Sequence, residues 1–256
     1  MKMYSLTIGW LYPDLMSTYG DRGNIIYLRK RCAWRGIETN LVPIDAQLPI
    51  EKLDGIDFIF GGGSQDIEQE LVMRDLKGKK AEKIKKKIEN ATPALFVCGS
   101  PQLMGNYYEP AIGQRIEGLG IFDMVSVHPG ADVPRCIGNT VGMVLWNNLN
   151  TVEASGRIIG FENHGGRTTL GRLAKPFAKV VKGFGNNGSD GTEGVVYKNA
   201  IGCYYHGPFL PKNPGVADFL IKRTIEVKYK ESIELAPLQD ALENAARKTL
   251  FERWGV

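Results

Sequence analysis

Three short apolar runs constrain the fold of this 256-residue chain more than any other feature, because each ends on residues suited to chemistry. Residues 94–97 and 201–205 are free of charge throughout, and 56–60 nearly so. They stop at Cys98, at His206 and at Gly61-Gly62-Gly63. Strand-like stretches at 4–8 and 39–43 and helical patterns at 25–35, 65–76 and 79–90 fill the first hundred residues. A half-wet strand alternates apolar with polar residues, whereas an apolar run of strand length is buried on both faces. The pattern therefore predicts an α/β fold, a mostly parallel sheet flanked by helices.

The middle of the chain reads differently. Stretches at 125–127, 140–145, 157–161, 178–181 and 194–197 are β-like, with Gly and Asn turns between them. Asn213-Pro214 then opens a helix, with proline in the first turn where its missing N–H is harmless. It should run to about Tyr229. A last helix is expected from Pro237, its apolar stripe made by Leu238, Leu242, Ala245 and Leu250. With no Pro/Gly/Ser-rich linker and no repeat, residues 1–256 read as one domain with a β-rich middle and a helical tail over 213–256.

Composition matters mainly for what it excludes. At 43% hydrophobic and 23% charged the chain is neither disordered nor fibrous. The net charge of +4 is weak evidence for a polyanionic partner. Much of it sits in seven lysines between 77 and 87, which read as the solvated face of a helix. No aromatics are interleaved for base stacking, so nucleic acid is not expected. No apolar run is long enough to span a bilayer, and the N-terminus reads as a strand rather than a leader. Cys32, Cys98, Cys136 and Cys203 are widely spaced, which suggests reduced thiols and a cytoplasmic location.

Cys98 falls in Leu95-Phe96-Val97-Cys98-Gly99-Ser100-Pro101-Gln102, an apolar strand running into a small-residue turn and a helix start. This is the context a nucleophile elbow needs. Helix N–H groups beyond the turn favour a thiolate, and Gly99 lets the backbone approach a substrate. The competing reading is a buried core cysteine. His206 ends another apolar strand, and sites in open α/β sheets form beyond the carboxyl ends of strands. The two residues can therefore meet as a nucleophile and base.

Gly61-Gly62-Gly63 exposes backbone amides after a strand. The Lys and Ser/Thr spacing of a phosphate loop is absent, which leaves an oxyanion role for Gly63, shared with the N–H of Gly99, or a plain tight turn. Residues 183–188 match GxGxxG formally, but no helix opens there, so a dinucleotide site is rejected. Only three histidines are present, with no HxH or HExxH, so no metal is expected.

These residues together resemble the class I glutamine amidotransferases, and specifically the cobyric-acid-synthase-like (CobB/CobQ) branch. The resemblance covers nearly the whole chain. It rests on 11–16, on Tyr19-Gly20-Asp21-Arg22-Gly23-Asn24, on 61–66, on the Cys98 elbow, on 118–123, on 160–166 and on His206-Gly207-Pro208. Within the branch, the chain is similar to the glutaminase subunits of lipid II isoglutaminyl synthases. The resemblance implies that Cys98 attacks the side-chain amide of glutamine and that His206 serves as acid and base. Ammonia would pass to a Mur-ligase-like (MurT-type) partner in a heterodimer. That partner would use ATP and Mg²⁺ to amidate the D-glutamate α-carboxyl of the lipid II stem peptide in peptidoglycan synthesis; this chain would carry no cofactor. Arg135 would anchor the glutamine carboxylate, and Gln102 would line the site.

Two departures stand out. Many relatives carry Glu two residues after the histidine, where this chain has Pro208. The site then works as a dyad or takes its orienting acid elsewhere, such as from the partner. Ser100-Pro101 also replaces the usual Gly and larger residue, which a helix first turn tolerates. The alternatives are a glutaminase for another ATP-dependent amidation, such as that of cobyrinate or cobyric acid, or a non-catalytic binding subunit.

Overall fold

The computed structural model describes residues 3–146 and 156–256. Strands and helices alternate first: β1 (Ser5–Leu11), α1 (Arg22–Ala33), β2 (Glu38–Ile44), β3 (Phe58–Gly61), α2 (Asp66–Asp75), α3 (Gly78–Glu89), β4 (Ala94–Val97) and α4 (Gly99–Met104). The middle is β5 (Tyr107–Glu109), β6 (Ile116–Glu117), β7 (Met124–Val127), β8 (Cys136–Val144), β9 (Arg157–His164), β10 (Arg167–Leu170), β11 (Ala178–Lys182) and β12 (Thr192–Glu193). Then come β13 (Val195–Tyr197), β14 (Ala200–Cys203), α5 (Phe209–Lys212), α6 (Pro214–Tyr229) and α7 (Ala241–Trp254).

The main sheet has six strands in the order β13-β14-β4-β3-β1-β2. All pairs are parallel except β13 with β14. The apolar runs explain this arrangement. Phe58, Phe60, Leu95 and Val97 pack on one face, against α1, α5 and α6. Ile59, Ala94 and Phe96 pack on the other, against α2, α3 and α4. Both faces are covered, as parallel strands require.

The β-rich middle forms two further four-stranded sheets, β10-β7-β5-β6 and β12-β11-β8-β9. An isolated antiparallel bridge between Phe161 and His206 joins β9 to the chain just beyond β14.

The structure corrects two expectations of packing. The final helix starts at Ala241, not Pro237, and its apolar stripe is not what holds it. Leu242 is 85% exposed, and the buried residue of α7 is Arg247, whose guanidinium donates to the carbonyls of Lys212 and Arg157 and to Asn213 Oδ1. The lysine run also has an inward member. Lys80 is buried, with its ammonium on the Asp75 carboxylate and on the carbonyl of Asp45, so α3 is not solvated all along that side.

Candidate active site

Four neighbouring strands of the main sheet deliver four residues to one edge. Beyond β1 the chain runs to Asp21; beyond β3 lies Gly63; beyond β4, Cys98; beyond β14, His206. The register sets β3 beside β4 at Gly61↔Phe96 and β4 beside β14 at Val97↔Cys203. The Cys98 N–H donates to the Cys203 carbonyl at 2.8 Å, which pairs the two strand ends as the chain turns. Cys98 has φ 57° and ψ −100°, a strained conformation for a non-glycine residue and the one expected at a strand-to-helix elbow.

Gly63 sits at the centre of the group. A Cβ there would lie 2.8 Å from His206 Cε1, 3.1 Å from Asp21 Oδ2 and 3.3 Å from the Cβ of Cys98. Any side chain at 63 would push these groups apart. The Gly63 N–H, to which the sequence reading assigns an oxyanion role, donates to Asp21 Oδ2 at 2.7 Å. The next amide, that of Ser64, takes the position beside Gly99, 3.0 Å from where a Gly99 Cβ would stand. Gly99 is thus the residue that admits the 64 backbone to the elbow. Ser100 fixes the two loops together by donating its hydroxyl to the Gly62 carbonyl at 2.5 Å.

The acid missing at Pro208 is present elsewhere in the chain. His206 Nδ1 lies 3.1 and 3.2 Å from the two oxygens of Asp21, and both side chains are fully buried. Accepting from Nδ1–H, the carboxylate fixes the ring; Nε2 has no hydrogen-bond partner among the described residues, and Cys98 lies close enough to act on the imidazole. Burial on its own would lower the pKa of His206. The neighbouring Cys98 and Asp21 outweigh it and raise the value from 6.5 to about 10. Tyr19 lies edge-on over the imidazole, ring centroids 4.9 Å apart.

Sequence reasoning missed Asp21 as a functional residue. The signal was an acid inside the Tyr19–Asn24 motif, but its partner lies 185 positions away.

Cys98 opens into a cleft of about 650 Å³ that also takes in Gln102, His128, Arg135, Asn163 and His164. Of the four free cysteines, it is the one lining this cleft. Burial raises the thiol pKa of Cys32 to about 12 and that of Cys203 well above its ordinary value, which keeps both protonated.

Arg135 reaches the rim from the segment before β8. Its Nε and Nη2 donate to Asn163 Oδ1 and to the Asn163 carbonyl. Gln102 lines the cleft, but its amide is engaged: Oε1 accepts from Gln69, and Nε2 donates to the Tyr204 hydroxyl. A buried chain continues to Thr168 and Ser126. Gln102 therefore builds a wall.

His164 stacks on Tyr204 at 3.8 Å, with Nδ1 on the Gly166 carbonyl. Burial lowers its pKa to about 3, so it is neutral and cannot supply a proton near pH 7. The glycine-rich loop at 183–188 is structural: the amides of Phe184 and Gly185 donate to the buried Glu162 carboxylate at 2.7 and 2.9 Å. Among the described residues, no cluster of His, Cys, Asp and Glu could hold a metal ion, and no helix is long and apolar enough to cross a membrane.

Comparison with known proteins agrees with this geometry. Residues 7–214 match the model of the CobB/CobQ-like glutamine amidotransferase domain. The chain is 37% identical to the lipid II isoglutaminyl synthase (glutamine-hydrolyzing) subunit GatD of Streptococcus pneumoniae, over 93% of this chain and 88% of that protein. It is 36% identical to GatD of Staphylococcus aureus, over 98% and 97%. A probable cobyric acid synthase of Methanothermobacter thermautotrophicus is 30% identical over 79% of this chain but only 39% of its own length. In fold, the chain is similar to the glutaminase domain of Trypanosoma brucei CTPS, solved with bound acivicin (TM-score 0.57, 12% identity, 90% of this chain and 96% of that one). It is likewise similar to a glutamine amidotransferase crystal structure at TM-score 0.56 and 14% identity, over 85% and 98%. The chain belongs to the CobB/CobQ-like glutamine amidotransferase family.

Proposed function

We propose that this chain is the glutaminase subunit of a lipid II isoglutaminyl synthase, acting in the cytoplasm with a Mur-ligase-like partner. The observation that supports it most is the convergence of Cys98, His206 and Asp21 at one sheet edge, in a chain matching GatD subunits over nearly their full length. The GatD subunits are matched over 88% and 97% of their own length and the cobyric acid synthase relative over 39% of its own.

In the proposed reaction the Cys98 thiolate adds to the side-chain amide carbon of glutamine, and the C–O double bond becomes an oxyanion. The N–H groups of Ser64 and Gly99 stabilise it. The Gly99 amide is free for this because the first amides of a helix have no partner within it. Protonated His206 gives its Nε2 proton to the leaving nitrogen, and ammonia departs as the C–N bond breaks. The product is a thioester on Cys98. His206 then takes a proton from water, whose oxygen displaces the sulfur and releases glutamate. Asp21 holds the imidazole in place throughout. Arg135 pairs with the glutamine α-carboxylate. The ATP and Mg²⁺ that activate the acceptor carboxyl belong to the partner.

The test is to co-express the chain with the Mur-ligase-like subunit and supply glutamine, ATP, Mg²⁺ and lipid II. Conversion of the stem-peptide α-carboxyl to a carboxamide, seen by mass spectrometry, is expected. Glutamate release without any amidated lipid II would reject the acceptor.

A further inference from the structure

The chemistry at the sheet edge leaves one charged feature unused, the lysine run on α3. That helix holds six lysines and two glutamates, a surplus equal to the net charge of +4 on all 256 residues. The rest of the chain is balanced, so the molecule's excess charge is concentrated on a single helix. Ile84 and Ile88 bury the inner face, and Lys80 joins them with its ammonium on Asp75. Helical spacing sets Lys79, Lys83 and Lys86 in a row along the opposite crest. Lys79 and Lys86 are exposed, and among the described residues no carboxylate pairs with either. Lys83 meets Asp54 of the 3₁₀ turn Ile50–Gly55 at 2.7 Å, and Lys87 donates to the Asp54 carbonyl at 3.1 Å. That exposed carboxylate faces several ammonium groups: Lys83 above all, then Lys87 and Lys86, hold its pKa below the ordinary value. No residue of α3 lines the cleft beside Cys98, so an occupant of the crest leaves the cleft open.

We propose that the crest of α3 rests on the anionic surface of a lipid bilayer and holds the enzyme where a lipid-linked acceptor lies. The inference deepens the proposed function and rests on that reading for the lipid acceptor. The physical case is charge complementarity. Attraction to an anionic headgroup layer adds up over the lysines near it and fades within a Debye length, so it needs several of them on one side of a molecule. Lysine suits such a partner, because a compact charge on a flexible stem follows mobile headgroups. Arginine's planar fork suits phosphates held in fixed positions, and α3 has no arginine. It has no aromatic side chain either, which leaves single-stranded nucleic acid no stacking platform. Ile84 and Ile88 are committed to the core, so the contact is electrostatic and reversible, with no apolar insertion from this helix.

The test is co-sedimentation of the full chain with vesicles of phosphatidylglycerol and phosphatidylcholine, against vesicles of phosphatidylcholine alone, at low salt. Wild type should pellet with the anionic vesicles only, and should be released at about 1 M salt, where the screening length falls to about 3 Å. Lys79→Glu/Lys86→Glu should weaken the binding by about 10-fold or more and leave glutamate release from soluble glutamine unchanged. Lys179→Glu/Lys182→Glu makes the same change in net charge at exposed positions of β11 and should keep most of the binding. Equal pelleting with neutral vesicles, no pelleting with anionic ones, or equal losses in the two double variants would overturn the proposal. So would tighter retention by duplex DNA than by the vesicles at the same salt, because the crest would then be a nucleic-acid contact.

Co-sedimentation needs neither glutamine nor lipid II, which keeps the two readings apart. A chain that releases glutamate but binds no vesicles would sink the docking and leave the amidotransferase reading standing. A chain that binds through Lys79 and Lys86 but never amidates lipid II would reject the acceptor and leave the docking in place.

Discussion

At the scale of single residues, the chain uses burial in opposite ways. His206 is fully buried yet its pKa is raised to about 10, because Cys98 and Asp21 outweigh the desolvation that would lower it. Its folded value lies above the unfolded one, so its contribution to stability is complete below about pH 6.5 and lost as pH rises towards 10. Asp21→Asn keeps the size of the side chain and removes its charge. The expected results are a kcat drop of about 100-fold or more, given the role of an orienting acid, and a smaller loss of stability between pH 6.5 and 10. Steady-state kinetics and thermal melts across pH would check both.

Glu193 is the opposite case. Burial raises its pKa to about 8, while Oε1 accepts the Tyr204 amide. For this acid the unfolded chain releases its proton above pH 4.5 and the folded chain holds it until about 8, so stability falls across that window. Glu193→Gln keeps the acceptor and abolishes the titration. Its melting temperature should match wild type near pH 4 and exceed it near pH 9, by an amount reflecting a few kcal/mol.

At the scale of elements, the buried strands and the helix from Pro214 were readable, and the packing of the last helix was not. Residues 94–97 were legible because uninterrupted apolar character is itself the signature of a strand buried on both faces. The strand at 56–60 is displaced to Phe58–Gly61, since Asp57 stays at the end: its carboxylate accepts the Thr7 amide and meets Lys228. The last helix is held by Arg247 and by the Arg31–Asp240 pair rather than by an apolar stripe, so periodicity misleads there. Arg31 on α1 is fully buried and donates to Asp218 of α6 and to Asp240, the residue before α7. Arg31→Leu leaves those carboxylates without their shared cation and should cost about 3–5 kcal/mol in urea unfolding. In α7, Leu242→Gln should change stability by less than about 0.5 kcal/mol, because the side chain already faces water. Arg247→Ala should cost about 1–3 kcal/mol, since it strips buried carbonyls of their donor.

At the scale of the whole molecule, the labour is divided. The main sheet brings chemistry to its carboxyl edge, and the β-rich middle supplies the facing wall with Arg135, Asn163 and His164. The sequence showed where strands end, and therefore that Cys98 and His206 belong at one edge. It could not show strand order, so the loop after β1 could not be assigned to the same edge, and Asp21 went unseen. Nor could it show that the Gly63 amide is taken by Asp21.

The account stands on Cys98 as the nucleophile of a glutaminase. The most direct measurement is glutamate release from L-glutamine by the chain purified with its partner, wild type against Cys98→Ala, with folding checked by circular dichroism. The account predicts release by the wild type and none above background from the variant. Undiminished release from Cys98→Ala would contradict it, and the strained elbow would then need another explanation.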